Sequence, residues 1–501
     1  MNITPLVRQV FKHRARIIDS FAHRAEELQR QVLARLLHQA RHTLWGEQHN
    51  YVRLNSYEDF AQQVPLNDYE TLKAHIDRMR HGERDILWPG QVRWYAKSSG
   101  TTNDKSKFIP ISQQGLQQLH YAGGRDVMAI YLRNRPDARV FSGKGLILGG
   151  SHQPNYDSQH SRVGDLSAIL NENASPFVRL FRATSKETAL LEDFELKRER
   201  IARETMHKNV TSISGVPSWM MAVLNKLLEI TGATTVDEVW PNLEVFFHGG
   251  VAFTPYREQY LRMIPSARMQ YMETFNASEG FFGLQTDPQD KSMELMMDYD
   301  VFYEFIPLEE VGSELPTVLP VWEVEVGKNY ALVITTSCGL WRYQIGDTLK
   351  FTSVRPYKFI ISGRTKSFIN AFGEELMVDN AEQGLKAACE QCNAEVSEYT
   401  AAPVFMDAEG KCRHQWVVEF RKRPADVEAF AQALDAALQS INSDYEAKRY
   451  KDITLQRLEI VEAREGLFND WLASRGKLGG QHKVPRLSNH RDIIEQILAL
   501  Q

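Results

Sequence analysis

Hydroxyl groups, a glycine and two lysines are crowded into Ser98-Ser99-Gly100-Thr101-Thr102-Asn103-Asp104-Lys105-Ser106-Lys107, directly after the strand-like run Val92-Arg93-Trp94-Tyr95-Ala96. These are the groups that a polyphosphate tail needs. Glycine lets backbone N–H groups approach phosphate oxygens, hydroxyls donate to them, and ammonium groups neutralise their charge. The run is not a Walker A loop, because no second glycine and no Gly-Lys-Ser/Thr ending follow Gly100. Taken alone it would serve equally as a polar surface turn, since Ser/Thr/Gly clusters commonly mark loops.

Three further clusters, far apart in sequence, extend the same chemistry. In Tyr271-Met272-Glu273-Thr274-Phe275-Asn276-Ala277-Ser278-Glu279-Gly280, a short strand over 268–271 leads to an acid beside a glycine that offers a backbone break. Such a carboxylate can hold magnesium, which takes one or two carboxylates and completes its shell with phosphate and water. The plainer reading is an exposed loop acid near a core Phe275. In Gly339-Leu340-Trp341-Arg342-Tyr343-Gln344-Ile345-Gly346-Asp347, the aspartate either starts a turn or accepts hydrogen bonds from two ribose hydroxyls. Gly476-Lys477-Leu478-Gly479-Gly480-Gln481-His482-Lys483-Val484-Pro485-Arg486 is a basic, glycine-rich loop. It is either solvated surface or a mobile arm that brings an ammonium group to charge developing in a transition state.

In this order the clusters resemble those of the adenylate-forming enzymes, which include acyl-CoA synthetases, luciferase and peptide-synthetase adenylation domains. Within that group the chain most resembles the auxin-responsive promoter family of acyl-acid amido synthetases. The family carries an SSGT-type motif, then Tyr-x-x-Ser-Glu, Arg-Tyr-x-x-Gly-Asp and Gln-Tyr-Lys-x-Pro-Arg. Here these are Ser98-Ser99-Gly100-Thr101, Phe275-x-x-Ser278-Glu279, Arg342-Tyr343-x-x-Gly346-Asp347 and Gln481-His482-Lys483-Val484-Pro485-Arg486. Each motif is weak to moderate by itself. All of them in order, over nearly the whole chain, are specific. In one departure, Phe275 stands where the family has a tyrosine against adenine; a phenyl ring still stacks but loses any hydroxyl contact.

The resemblance implies ATP and Mg²⁺ and two half-reactions. A small carboxylic acid attacks the α-phosphate of ATP, giving an acyl-adenylate and pyrophosphate; an amine, usually of an amino acid, then displaces AMP. It implies catalytic roles for Lys483, Glu279 and Lys107. Ser98, Ser99, Thr101, Thr102 and Lys107 would hold the β- and γ-phosphates, with Lys107 rather than Lys105 matching the family lysine. Glu279 would be the metal ligand, with Ser278 near the α-phosphate. Phe275 and the turn Gly249-Gly250-Val251-Ala252 would flank adenine. Asp347 would hold the ribose, and Arg364 would reach it from a hinge. Lys483 would bridge the α-phosphate and the acyl oxygen; Lys477 is its rival, since Gly476-Lys477 resembles the Gly-Lys ending of the wider superfamily. Trp219, Met220 and Met221, with Phe247 and His248, are candidates for the acyl pocket, although such clusters equally build plain core. A thiol acceptor, and a catalytically idle nucleotide-binding protein, are the alternatives.

Elements must bring these residues together. A chain of 501 residues exceeds one ordinary core and predicts two or three domains. Alternating helical segments and short β-rich runs predict an α/β fold: a large, multi-subdomain α/β adenylate-forming domain over 1–363, largely helical over 1–90, and a smaller mobile α+β domain over 364–501. The latter reads as helix 379–392, strand 415–420, helix 425–440, strand 453–460 and a helix around 491–500. Asn67 or Asp68 is the expected N-cap of a helix near Tyr69.

The net charge of −5 argues against a general nucleic-acid partner. No apolar run of about 18 residues suggests a membrane span. The expected partners are the small carboxylic acid and the amine or amino acid; oligomeric state is not legible. Four cysteines make no disulfide framework in a chain this long, which suggests a reducing, cytoplasmic setting. Cys389-x-x-Cys392 with Cys412 and His414 has zinc-like residue types, but AEQGLKAACEQC reads better as a small-residue helix face.

Overall fold

The computed structural model describes residues 2–99, 106–150, 155–156, 159–191, 193–251, 253, 256–365, 368–374, 376–405, 412–452, 455–475 and 484–501. They form two compact units, one of Met1–Ser98 with Phe108–Thr365, the other of Ser99–Lys107 with Lys366–Gln501.

The larger unit starts with helices Thr4–Asp19 and Phe21–Ala40. In the second, Phe21, Ala25, Leu28, Val32, Leu36 and Ala40 recur at helical spacing and are buried, so one stripe faces the core. Helix Tyr69–Arg80 begins as the sequence suggests: Asp68 accepts from the Thr71 N–H and Thr71 reaches back to the Asp68 N–H. This reciprocal cap satisfies two amides that the helix leaves unpaired.

The described strands up to Arg364 are β1 (Trp94–Ser99), β2 (Ser106–Ile111), β3 (Lys144–Ile147), β4 (Asn155–Tyr156), β5 (Arg162–Gly164), β6 (Val210–Gly215), β7 (Val245–Gly249), β8 (Gln270–Ala277), β9 (Gly280–Leu284), β10 (Met293–Leu295), β11 (Val301–Pro307), β12 (Leu319–Pro320), β13 (Asn329–Thr336), β14 (Tyr343–Val354) and β15 (Tyr357–Arg364). A four-stranded sheet has the order β2-β1-β5-β4, and an eleven-stranded sheet the order β12-β11-β13-β14-β15-β10-β9-β8-β7-β6-β3.

The large sheet changes character along its width. From β3 through β6 and β7 to β8 neighbours run parallel; from β8 onward they run antiparallel. Helices Pro217–Thr231 and Arg257–Met263 lie in the crossovers β6-to-β7 and β7-to-β8, as parallel strands require. Every residue of β9 is buried, as is nearly all of β11 and β13. Strands covered on both faces read as continuous apolar runs rather than alternating ones.

Within this sheet Arg342 has a structural post. It has a φ of +43°, and its guanidinium pairs with the fully buried Glu304 at 2.9 Å and donates to the carbonyls of Ala61 and Val64. Tyr57 Oη also donates to Glu304. The arginine of the third motif is thus spent on tying strands to an N-terminal helix.

The smaller unit contains a three-stranded sheet in which Glu395–Val404 pairs antiparallel with Arg413–Lys422, itself parallel to Glu459–Ala463. Helices Val378–Cys392, Val427–Ile441 and Asp492–Leu498 match the expected ones closely. The expected strand over 453–460 lies later, at Glu459–Ala463, and strand Glu395–Val404 went unpredicted. His414 Nε2 sits 2.8 Å from the carboxylate of Glu374, with both side chains fully buried. Among the described residues no group of three or more His, Cys, Asp or Glu is arranged to hold a metal ion. No helix searched among them is long and apolar enough to cross a membrane.

Candidate active site

Ligands in open α/β sheets bind outside the carboxyl ends of the parallel strands. At that end of the sheet, β7 and β8 pair His248 with Glu273 and Gly249 with Thr274. The approach is tight: a Cβ on Gly249 would lie 2.3 Å from the Thr274 carbonyl oxygen. Gly250 then turns with a φ of +85°, which favours glycine, and Val251 behind it is buried. These are two of the residues expected beside adenine.

Strand β8 ends in a hairpin onto β9 that pairs Ala277 with Gly280, so Ser278 and Glu279 form its tip. Glu279 is buried, not an exposed loop acid. Gly280 is needed for a reason other than a break in the chain. A Cβ there would meet Phe282 at 2.9 Å and Leu119 at 3.2 Å, so the glycine lets the hairpin settle onto the core. Phe275 is buried, with its ring 5.1 Å from that of Phe282 and 5.8 Å from that of Phe359 on β15.

Asp347 and Arg364 face each other across the β14–β15 pair, with Arg364 Nε donating to the Asp347 carboxylate at 2.8 Å. The Tyr343 hydroxyl reports how near the motifs lie. Burial raises its pKa most, the charge of Glu279 raises it further, and the charge of Arg364 lowers it. The third motif and the start of the hinge thus meet at the Asp347–Arg364 pair, on the sheet whose β8–β9 tip carries Glu279.

Ser98 and Ser99 end β1, and Lys107 lies in β2 just before Phe108, whose N–H donates to Tyr69 Oη. Thr101, Thr102 and Lys483, like Lys477, lie outside the described residues. Phe247 and His248 are consecutive on β7, so their side chains point to opposite faces of the sheet. The Phe247 ring meets Tyr131 edge-on at 5.8 Å, whereas His248 stacks on Phe253 at 4.1 Å. Trp219 is partly buried in helix Pro217–Thr231. Phe247 and His248 thus do not form one wall.

Glu273 was not singled out from sequence. Its carboxyl has no hydrogen-bond partner among the described residues, and burial pushes it up to about 7. Only the register, which sets it beside His248, marks it out. In the smaller unit the segment after Lys483 is pinned: the Ala401 N–H donates to the Arg486 carbonyl and Thr400 Oγ1 to that of Pro485. The Arg486 guanidinium lies 4.7 Å from the Tyr399 ring centre.

A mixed sheet with a glycine turn after β7 and a buried carboxylate at the β8–β9 tip, followed by a small α+β unit, is a fold that solved ligases share. A solved 2-hydroxyisobutyryl-CoA ligase shares it, with a TM-score of 0.54 over 95% of this chain and 92% of that one, at 14% identity. A solved GH3.15 acyl acid amido synthetase matches with a TM-score of 0.61 over 97% and 95%, at 17% identity.

The GH3 family N-terminal domain matches residues 14–269, the central domain 294–364 and the C-terminal domain 379–492; this chain belongs to the GH3 family. It is similar to the indole-3-acetic acid-amido synthetases GH3.3 of Arabidopsis thaliana, at 25% identity over 96% of this chain and 92% of that protein, and GH3.8 of Oryza sativa subsp. indica, at 26% over 96% and 91%.

Proposed function

We propose that this protein is an ATP-dependent acyl-acid amido synthetase. It activates a small carboxylic acid as its adenylate, with release of pyrophosphate, and then passes the acyl group to an amine, an amino acid being the expected acceptor. A carboxylate is a poor electrophile at neutral pH; an AMP leaving group makes its carbon open to attack. The observation that carries the reading is the Asp347–Arg364 ion pair at 2.8 Å, on the same sheet as the buried Glu279 of the β8–β9 tip.

Phosphoryl transfer asks mainly for positioning and charge neutralisation. Asp347 holds the ribose, oriented by Arg364. Gly250, Val251 and Phe275 bound the base. Ser98, Ser99, Thr101, Thr102 and Lys107 neutralise the β- and γ-phosphates, and Ser278 donates near the α-phosphate. Lys483 brings its ammonium group to the α-phosphate and acyl oxygen. Phe247, on one face of β7, and His248 and Trp219 remain the candidates for acyl contact. The donor set suits magnesium, since one buried carboxylate, Glu279, is enough for an ion that takes its other ligands from phosphate and water. When bound, the ion neutralises charge on the phosphates.

Acid-dependent exchange of radiolabelled pyrophosphate into ATP, over a panel of aryl and aliphatic acids, tests the first half-reaction. Exchange is expected with at least one acid, as is AMP release on adding an amino acid but not coenzyme A. Lys483→Ala should abolish exchange while Lys477→Ala retains it. No exchange with any acid, despite ATP binding, overturns the reading, and loss in the Lys477 variant alone overturns the lysine assignment.

A further inference from the structure

Helix Tyr121–Asn134 and the turn Leu116–His120 before it are committed on one side. A Cβ on Gly123 would run into the Phe281 ring, and Leu119 lies against Gly280 just after the β8–β9 tip. Gln118, Ala122 and Arg125 follow one another at spacings of four and three, so they share another face. That face opens onto a cavity of about 280 Å³. Helix Thr4–Asp19 lines the same cavity with Phe11 and Arg14, again three apart. The turn that carries Gln118 is π-helical, and such turns recur at functional sites.

The cavity has a negative and a positive end. Arg14 Nε donates to Asp126 at 2.9 Å and Arg14 Nη2 to Asp298 at 2.8 Å, while the Tyr299 hydroxyl donates to Asp126 at 2.8 Å. One guanidinium thus serves two carboxylates, and the three groups together keep one negative charge. The Asp126 side chain is 2% exposed and already holds both donors; that of Asp298 is 21% exposed, with acceptor capacity to spare. Arg125 and Gln118 are exposed and make no hydrogen bond or ion pair with any of the described residues. Phe11, half-buried, and Ala122, buried, supply apolar wall between these groups.

We propose that this cavity binds a free α-amino acid with an apolar side chain. Its carboxylate meets Arg125 and Gln118, its ammonium group meets Asp298, and its side chain lies on Phe11 and Ala122. Both polar contacts are of the charge-assisted kind, the stronger class of hydrogen bond. The volume falls just short of that of pockets for drug-sized ligands and suits a molecule of this size. None of the lining residues is among those assigned to the nucleotide or the acyl acid, and the site stands whether or not the protein adenylates an acid.

The test is calorimetric titration of the whole protein at neutral pH, without ATP or acyl acid. The probes are L-leucine and two relatives that each lack one charge, 4-methylpentanoate and isoamylamine. Leucine is expected to bind one to one, and each relative about tenfold or more weakly. Arg125→Ala and Gln118→Ala should leave the melting temperature of the free protein unchanged, because neither side chain has a partner to lose. Both should weaken leucine, Arg125→Ala by about tenfold, and Arg125→Lys should recover part of that loss. The proposal is overturned if leucine gives no saturable heat, if 4-methylpentanoate binds as well as leucine, or if Arg125→Ala binds leucine like the wild type. The last result would place any leucine site elsewhere on the protein, a site for the acceptor amine included. Failure of the adenylation reading shows separately, as absent pyrophosphate exchange, and leaves these titrations untouched.

Discussion

Asp347 is engaged before any ligand arrives. Arg364 Nε holds one of its oxygens at 2.8 Å, and both side chains are largely covered. A carboxylate held in place before binding leaves little of the ordering cost to the ligand. Asp347→Ala should therefore raise the KM for ATP about tenfold, with kcat changed much less, as steady-state kinetics would read. A fall in kcat with unchanged KM would remove Asp347 from ribose binding. The residue scale was only partly legible in sequence. Asp347 and Glu279 stood out because a carboxylate beside glycine is a local pattern. Glu273 did not, because what raises its carboxyl is desolvation that only the fold imposes. Arg342 sits in a recognisable motif, yet its partner Glu304 is far away in sequence, and only the fold reveals the pairing.

Elements explain why certain glycines are irreplaceable. At Gly249 the contact is with backbone, the Thr274 carbonyl oxygen at 2.3 Å from a would-be Cβ, so no side-chain rotation relieves it. Gly249→Ala must spread β7 from β8, costing about 1–3 kcal/mol, and should weaken nucleotide binding as well because both strands carry the site. Chemical denaturation and ATP binding measured on the same variant check this; unchanged stability would mean that the strands part freely. Local patterns announced the helices, Asp68 and its cap included, since caps and apolar spacing are written within one turn. The β8–β9 hairpin was harder to see, because the two-residue tip Ser278-Glu279 has no standard turn pair and Phe281-Phe282 lack alternation. The parallel half of the sheet was legible only as a class.

At the scale of the whole molecule, one buried acid offers a readout of folding that is independent of catalysis. Glu294 on β10 is 5% exposed; burial pushes its carboxyl up to about 7, opposed chiefly by the Thr286 hydroxyl that donates to it at 2.8 Å. A carboxyl raised in the folded state stabilises below its unfolded value near 4.5 and loses that contribution as pH rises toward about 7. Glu294→Gln should thus gain melting temperature over the wild type at pH 8, on the order of 1–2 °C, and little or none at pH 5. A gain at pH 5 that vanishes at pH 8 would refute the assignment.

The pairing that joins β15 to β10 in the large sheet bears on the history of the site as well as its shape. Strands β11, β13, β14 and β15 form a meander of near neighbours in sequence, with short loops to close and little entropy to lose. The β15–β10 pairing is different, joining Phe359 to Met293 across a long stretch of chain, and such contacts form slowly. Asp347 and Arg364 stand on one side of that seam, and Glu279 and Phe275 on the other. The proposed nucleotide pocket therefore comes into being only when the two parts of the sheet are stitched together, and a nucleotide that grips both acts as a staple across that seam.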